Sequence, residues 1–168
     1  MKLRTHIVAN GPSWVKFLES ERKFRRDDIY GCNMGHDGIK MKAVFVHDAR
    51  VLRFIERSKE LHPHPIIAEQ RFFKLYNNKY ITQHTILPPE CKERSSGHDA
   101  LHYLIHTGEY KDIHLWGFDS LTSSTVESIT KDKIPDSREA VSMLPKWLER
   151  FKELFLLAEN SGISVVIH

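Results

Sequence analysis

The run Ala43-Val44-Phe45-Val46, stopped by His47-Asp48, is apolar at every position. A strand with one wet face alternates apolar and polar residues. A strand that is apolar throughout is covered on both faces, as in the middle of a parallel sheet. Such a strand needs neighbours on both sides and helices above and below, and the rest of the chain has them. Strand-like segments at about Leu3–Ala9, Ile29–Asn33, Ile66–Ala68, Ile113–Phe118 and Ile163–Ile167 alternate with helical ones. The first helical segment starts at Ser13 or Trp14, with Val15, Phe17 and Leu18 on its inner face. The second runs from Ala49 to about Leu61, with Val51, Leu52, Ile55 and Leu61 at helical spacing. The third runs from Ser96 or Gly97 to about Thr107 and is closed by Gly108. The fourth runs from about Arg138 to Glu159, through Pro145, and ends at Gly162. The expected fold is α/β: a single Rossmann-like three-layer domain over residues 1–168, with a mostly parallel sheet of about six strands. Residues 69–95 resist assignment, because Arg71–Tyr76 fits helix or strand and Pro88-Pro89 favours a loop.

Composition narrows the class. The 168 residues fit one domain, and 40% hydrophobic with 28% charged residues is ordinary for a globular chain. A net charge of +3 suits anionic ligands but is too small to imply nucleic acid. The basic residues Arg22, Lys23, Arg25 and Arg26 are offset by Glu19, Glu21, Asp27 and Asp28, which describes a solvated surface. The two cysteines, Cys32 and Cys91, form no CxxC motif, which argues against a zinc knuckle and for a reducing cytoplasm. The N-terminus lacks an apolar signal core, and no apolar stretch approaches the roughly 20 residues of a membrane helix. A soluble cytoplasmic protein is expected, with homo-oligomerisation left open.

In open α/β sheets, ligands sit beyond the carboxyl ends of the strands. Three polar clusters fall there: Asn10–Ser13, Asn33–Asp37 and Gly117–Ser120, and Ser95–Gly97 begins a helix that faces the same crevice. At Asn10-Gly11-Pro12-Ser13 a glycine brings backbone amides close to a ligand, and the following helix start favours a phosphate. Asn10 and Ser13 add side-chain hydrogen bonds; a capped turn without ligand satisfies the same residues. His98, His102 and His106 share one helix face, but Asp99, Ala100 and Leu101 include no glutamate in the position that zinc-protease chemistry uses. No metal is expected, and His98, at the helix start, is placed to reach the crevice. Asp48 is expected to cap the helix after it, which leaves His47 as a crevice residue. The polar stretch 121–136 is long enough to be a lid.

Four segments, in order, resemble the small metal-independent sialyltransferases that decorate bacterial lipooligosaccharides. They are Asn10–Ser13, Cys32-Asn33, Lys42–Phe45, and Ser95–Gly97 followed by Gly108–Asp119. The wider group with that fold includes a pterin diphosphokinase branch. The resemblance implies a CMP-sugar donor, no cofactor, and an acceptor that in the family is a glycan. It places Asn10 and Asn33 on the nucleotide phosphate and nearby donor groups, Ser96 and Gly97 on the donor sugar, and Gly117, Phe118 and Asp119 around the cytidine. Two positions depart from the family pattern. His47 stands where the family has asparagine. The region matching the loop of the family's histidine base is Ile134-Pro135-Asp136-Ser137, so Asp136 is the first candidate base and His98 the second. Two other functions stay open: a non-catalytic nucleotide or nucleotide-sugar-binding module, and a phosphoryl or diphosphoryl transferase acting on a small heterocycle.

Overall fold

In the computed structural model, which describes residues 2–24, 26–76, 78–122 and 139–168, every strand pairing of the sheet is parallel. The strands are β1 (Lys2–Val8), β2 (Asp28–Cys32), β3 (Ala43–Val46), β4 (Ile66–Ala68), β5 (His84–Ile86), β6 (Tyr110–Trp116) and β7 (Ser164–Ile167). Their spatial order is β5-β4-β3-β2-β1-β6-β7. The first strand of the chain is therefore central. Its last residue, Val8, lies opposite Gly31 of β2 on one side and Trp116 of β6 on the other. The β3 run is buried at all four positions, as its unbroken apolar sequence requires. The edge strand β5 is exposed along its length, and β7 is exposed or half-buried.

Among the described residues five α-helices connect the strands: α1 (Val15–Ser20), α2 (Ala49–Ser58), α3 (Gln70–Leu75), α4 (Ser96–Thr107) and α5 (Glu139–Asn160). They divide between the two faces of the sheet. Phe17 of α1, Val51, Leu52 and Ile55 of α2 and Phe72 of α3 pack with Val8, Val44, Val46 and Ile66 on one face. Leu101, Leu104 and Ile105 of α4 and Phe151, Leu154 and Ala158 of α5 pack with Ile7, Phe45, Ile113 and Leu115 on the other. Alternate residues of β3 thus serve opposite cores, which is the three-layer Rossmann-like arrangement. Among the described residues no helix is long and apolar enough to cross a membrane.

Several local expectations change. The sheet has seven strands rather than about six, because 84–86 adds an edge strand within the unassigned stretch. Three exposed residues, His84-Thr85-Ile86, carry no burial pattern that a sequence could show. Within that stretch Gln70–Leu75 is helical. The α1 segment buries only Phe17, leaving Val15 and Leu18 49% and 42% exposed; six residues give too little helix for a broad inner face. The α2 helix stops at Ser58 because Lys59 takes a left-handed φ of 56°, and Leu61 beyond it is solvent-facing. The α5 helix runs through Pro145 without ending there.

One buried polar pair lies in the sheet. His6 is fully buried, accepts the Trp116 indole N–H at Nδ1 (3.1 Å) and donates from Nε2 to Asp27 (3.0 Å). Burial drives its pKa down to about 4 against the pull of Asp27. His98 is likewise pushed down by burial to about 4. A histidine whose folded pKa lies below its unfolded value binds fewer protons when folded. These two groups leave stability intact above pH 6.5 and remove it progressively as pH falls from there towards about 4. Urea midpoints measured from pH 8 to pH 4 should fall through that window, with Trp116 fluorescence reporting the transition. A midpoint independent of pH over this range would contradict the buried neutral histidines.

Candidate functional site

The carboxyl ends of β1 and β6 meet where the connections part. The chain after β1 enters α1 on one face, and the chain after β6 leads to α5 on the other. This is the switch point at which doubly wound sheets open a crevice. Here the two loops are clasped together. The Gly11 amide donates to the Gly117 carbonyl at 2.9 Å. The Ser13 amide and hydroxyl both donate to the Asp119 carboxylate, at 3.1 and 2.9 Å. A β-carbon on Gly11 would stand 2.2 Å from Asp119 Oδ2 and 2.4 Å from the Gly117 carbonyl oxygen. Gly117 has a φ of +72°, and its own β-carbon would stand 2.6 Å from the Ala9 carbonyl oxygen. Asp119 therefore occupies the anion position of the first strand-to-helix junction. Both donors of Ser13 are used by the chain itself.

The open polar groups lie beside this clasp, along the ends of β1, β2 and β3 under the start of α4. Asn10 is buried; its Nδ2 donates to the Cys32 carbonyl at 3.3 Å, and its Oδ1 has no partner among the described residues. The carbonyl fixes which way the amide faces, so Oδ1 is a buried acceptor left unmatched at the carboxyl edge of the sheet. Asn33 holds a left-handed φ of 58°, a conformation that asparagine tolerates better than most residues, and its amide donates to the Phe45 carbonyl at 2.8 Å. Its Oδ1 accepts the Ser96 hydroxyl at 2.9 Å, which leaves Nδ2 as a donor facing outward from that bond. Ser96 Oγ in turn accepts the His47 amide at 3.0 Å, so one hydroxyl ties β2, β3 and α4 together. On the other side of Asn33, His36 is buried, stacks on Trp14 at 4.1 Å and donates to the Ala9 carbonyl at 3.0 Å.

His47 ends β3 with its Nδ1 donating to Asp99 of α4 at 3.0 Å. Asp99 is almost wholly buried, and its second oxygen accepts the Glu93 amide at 2.7 Å. Glu93 is gripped by a two-pronged contact from Arg150 of α5 (2.7 and 2.5 Å) and by His102 of α4 (2.6 Å). Burial alone would raise the Glu93 carboxyl, but the Arg150 and His102 contacts outweigh it and hold its pKa low. Burial pushes Asp99 up, against the stabilising contact of His47. For His47 itself burial disfavours the imidazolium. The Asp99 hydrogen bond and charge prevail, and the pKa stands above 6.5.

The remaining expected site residues are placed as follows. Asp48 caps α2 by accepting the Arg50 amide at 2.8 Å. Ser95 caps α4, and Ser96 and Gly97 form its first turn, with Gly97 packed against the Phe118 ring. Phe118 is buried, edge-on to Phe151, so its ring belongs to the core. His98 does not reach the crevice: it is fully buried and stacked on Phe151 at 3.8 Å. Its Nε2 donates to the Trp147 carbonyl (2.9 Å) and its Nδ1 meets the Ser95 hydroxyl (2.6 Å). Both ring nitrogens are used, which makes His98 a residue that fixes α4 against α5 rather than a free base. Asp136, with most of the expected lid, lies outside the described residues. His98, His102 and His106 do not converge, since His102 turns to Glu93 and His106 to Glu90. Among the described residues no three His, Cys, Asp or Glu side chains gather as metal ligands.

Sequence reading missed Asp99, Glu93 and Arg150. The signal for Asp99 was the one acid of α4, in its first turn, where it reads as a favourable charge at the helix start rather than a partner for His47, 52 residues away. The fold and these residues define a doubly wound α/β protein with a cluster of polar side chains at the carboxyl edge of its sheet. No model of a known protein family matches the sequence, no curated protein matches it, and no solved structure matches it.

The clasp gives a direct test. Gly11→Ala must displace Asp119 and the Gly117 carbonyl, and overpacking of this kind costs about 1–3 kcal/mol. Asp119→Ala, which loses two hydrogen bonds to Ser13, should cost about 1–2 kcal/mol. Because both changes remove the same contact, urea denaturation of the double variant should show less than the sum of the two losses.

Proposed function

We propose that the crevice under the start of α4 binds a nucleotide-sugar, with a CMP-sugar as the donor that the sequence resemblance suggests. On this proposal the protein transfers the sugar to a hydroxyl acceptor, a glycan in the family it resembles, without a metal. One observation carries the proposal: the buried Asn10 Oδ1 has no partner among the described residues. An unmatched buried acceptor costs about 1–3 kcal/mol, and a ligand that brings a hydroxyl or amino hydrogen to it recovers that cost. Ribose and sugar hydroxyls and the cytosine amino group are donors of this kind; a phosphate oxygen is not.

The phosphate is assigned instead to the neighbouring donors. Asn33 Nδ2 and the first-turn amides of Ser96 and Gly97 lie at the positive end of the twelve-residue α4 helix. Ser13 is excluded from that role by its own contacts with Asp119. Relative to the resemblance, the phosphate thus moves from the first junction to the second, and Asn10 moves from phosphate to a ligand hydroxyl or amine. A transfer reaction gains from the same donors, because the negative charge that grows on the departing phosphate is greatest in the transition state.

Thermal unfolding in the presence of CMP, CMP-sialic acid or ATP tests the proposal. A ligand at 1,000 times its dissociation constant stabilises by about 4.1 kcal/mol, a clear rise in Tm. CMP and CMP-sialic acid should raise the Tm, and ATP should not. Asn33→Ala should weaken CMP binding about tenfold, equivalent to about 1.4 kcal/mol. No shift with either cytidine compound would refute the proposal. Binding of CMP-sialic acid without release of free sugar or transfer would favour a binding module over an enzyme.

A further inference from the structure

We propose that His47, oriented by Asp99, is the group that takes the acceptor proton in this crevice. This rests on the nucleotide-sugar proposal and names the base that the sequence placed at Asp136 or His98. The geometry begins with rigidity. The His47 amide is held by Ser96 Oγ (3.0 Å) and its Nδ1 by Asp99 Oδ2 (3.0 Å). Asp99, only 2% exposed at its side chain, is fixed at its other oxygen by the Glu93 amide. Glu93 is anchored by Arg150 and His102. Each group in this series is locked by the next, across β3, α4 and α5.

What the series leaves open is one atom. With Nδ1–H given to a buried carboxylate, the neutral imidazole carries its lone pair on Nε2; among the described residues the ring's hydrogen bond is the one from Nδ1. The His47 side chain is 26% exposed, at the carboxyl end of a central strand and joined through Ser96 to Asn33. It therefore stands beside the atoms assigned to the donor. A base, a carboxylate that orients it and a support that fixes the carboxylate form the recurrent arrangement of activated proton transfer. The other titratable groups nearby are committed: His98 to Ser95 and Trp147, Asp119 to Ser13, and Asp48 to the α2 cap.

The step balances. His47 Nε2 accepts the proton of the acceptor hydroxyl as that oxygen bonds to the anomeric carbon. The bond from that carbon to the phosphate oxygen breaks, its electron pair stays on the phosphate, and CMP departs. The imidazolium then returns its proton to solvent. With water as acceptor the products are free sugar and CMP. Asp99 is a positioning residue throughout.

The electrostatic setting makes the step readable by pH. Asp99 from α4 and Glu69 beyond β4 favour the imidazolium, while Lys92, paired with Glu69 at 3.0 Å, opposes it. Asp48, bonded to Arg50, adjoins it, and His98 lies behind it in α4. Burial is outweighed by the carboxylates, so His47 loses its proton only above the ordinary histidine value. The wild-type kcat/KM for CMP-sialic acid hydrolysis should therefore rise with pH through a limb centred above 6.5.

The experiment combines this profile with NMR titration of the His47 ring and CMP binding. Asp99→Asn removes the charge that raises His47. The NMR pKa and the kinetic limb should move down together, and the rate should fall by about 10²-fold. His47→Gln should abolish the limb and lower kcat by about 10²–10⁴-fold, with CMP affinity kept within about threefold. A His47→Gln variant that keeps the wild-type limb and rate overturns the assignment and leaves the nucleotide-sugar proposal standing. CMP binding with no turnover at any pH also overturns the assignment, and reduces the nucleotide-sugar proposal to binding alone. Absence of CMP binding removes the proposal on which the assignment rests, whatever the His47 titration shows.

Discussion

The contact between the ends of β1 and β6 governs the upper side of this molecule. Parallel pairing brings Val8 level with Trp116, and the next residues on each strand must leave in opposite directions. The space between them is only wide enough for backbone, so two glycines occupy it. The resulting clasp seats the Asp119 carboxylate on Ser13. Everything polar that remains open is displaced to one side, over β2 and β3, where α4 begins. The position of the crevice thus follows from a packing constraint rather than from the chemistry of its residues.

The α/β class and the existence of a polar carboxyl edge were legible because they rest on local patterns. The apolar β3 run, the Ser95 and Asp48 caps and the Gly108 stop each act within a few residues. The second edge strand was illegible because its three residues, His84–Ile86, face solvent and pair only through backbone. Asn10, Asn33, His47 and Ser96 were legible as residues of the carboxyl edge because they follow strands or open a helix, where ligands sit as a rule of topology. Their division of labour was not, because it depends on contacts between distant segments. Asp119 answers Ser13 from 106 residues away, and Asp99 answers His47 from 52. Spacing in a sequence cannot say whether a helix start is open to a ligand or already answered by the chain.

The histidines show how partners decide chemistry. His6 and His98 are fully buried among aromatic rings; their nitrogens face an indole, a hydroxyl, a carbonyl and, for His6, the Asp27 carboxylate, yet burial dominates and both stay neutral well into the acid range. His47 also faces a carboxylate, but its side chain is only partly buried, so the Asp99 hydrogen bond and charge outweigh burial and the balance reverses. The three residues began as equivalent letters in a chain rich in histidine. Two serve packing, and one keeps a basic atom at the surface of the crevice.

The central place of β1 has a consequence for the history of the fold. As the chain leaves the ribosome, β1 finds β2 after about twenty residues, but its second edge stays unpaired until β6, with Tyr110 opposite Lys2, has been made. Closing so distant a pairing carries a loop-closure cost that the local β1–β2 pairing does not. Until then the edge of β1 that β6 will cover has backbone N–H and C=O groups without strand partners. The clasp of Ser13 with Asp119 joins residues 106 apart, so the arrangement at the carboxyl edge needs both halves of the chain in place before it can close.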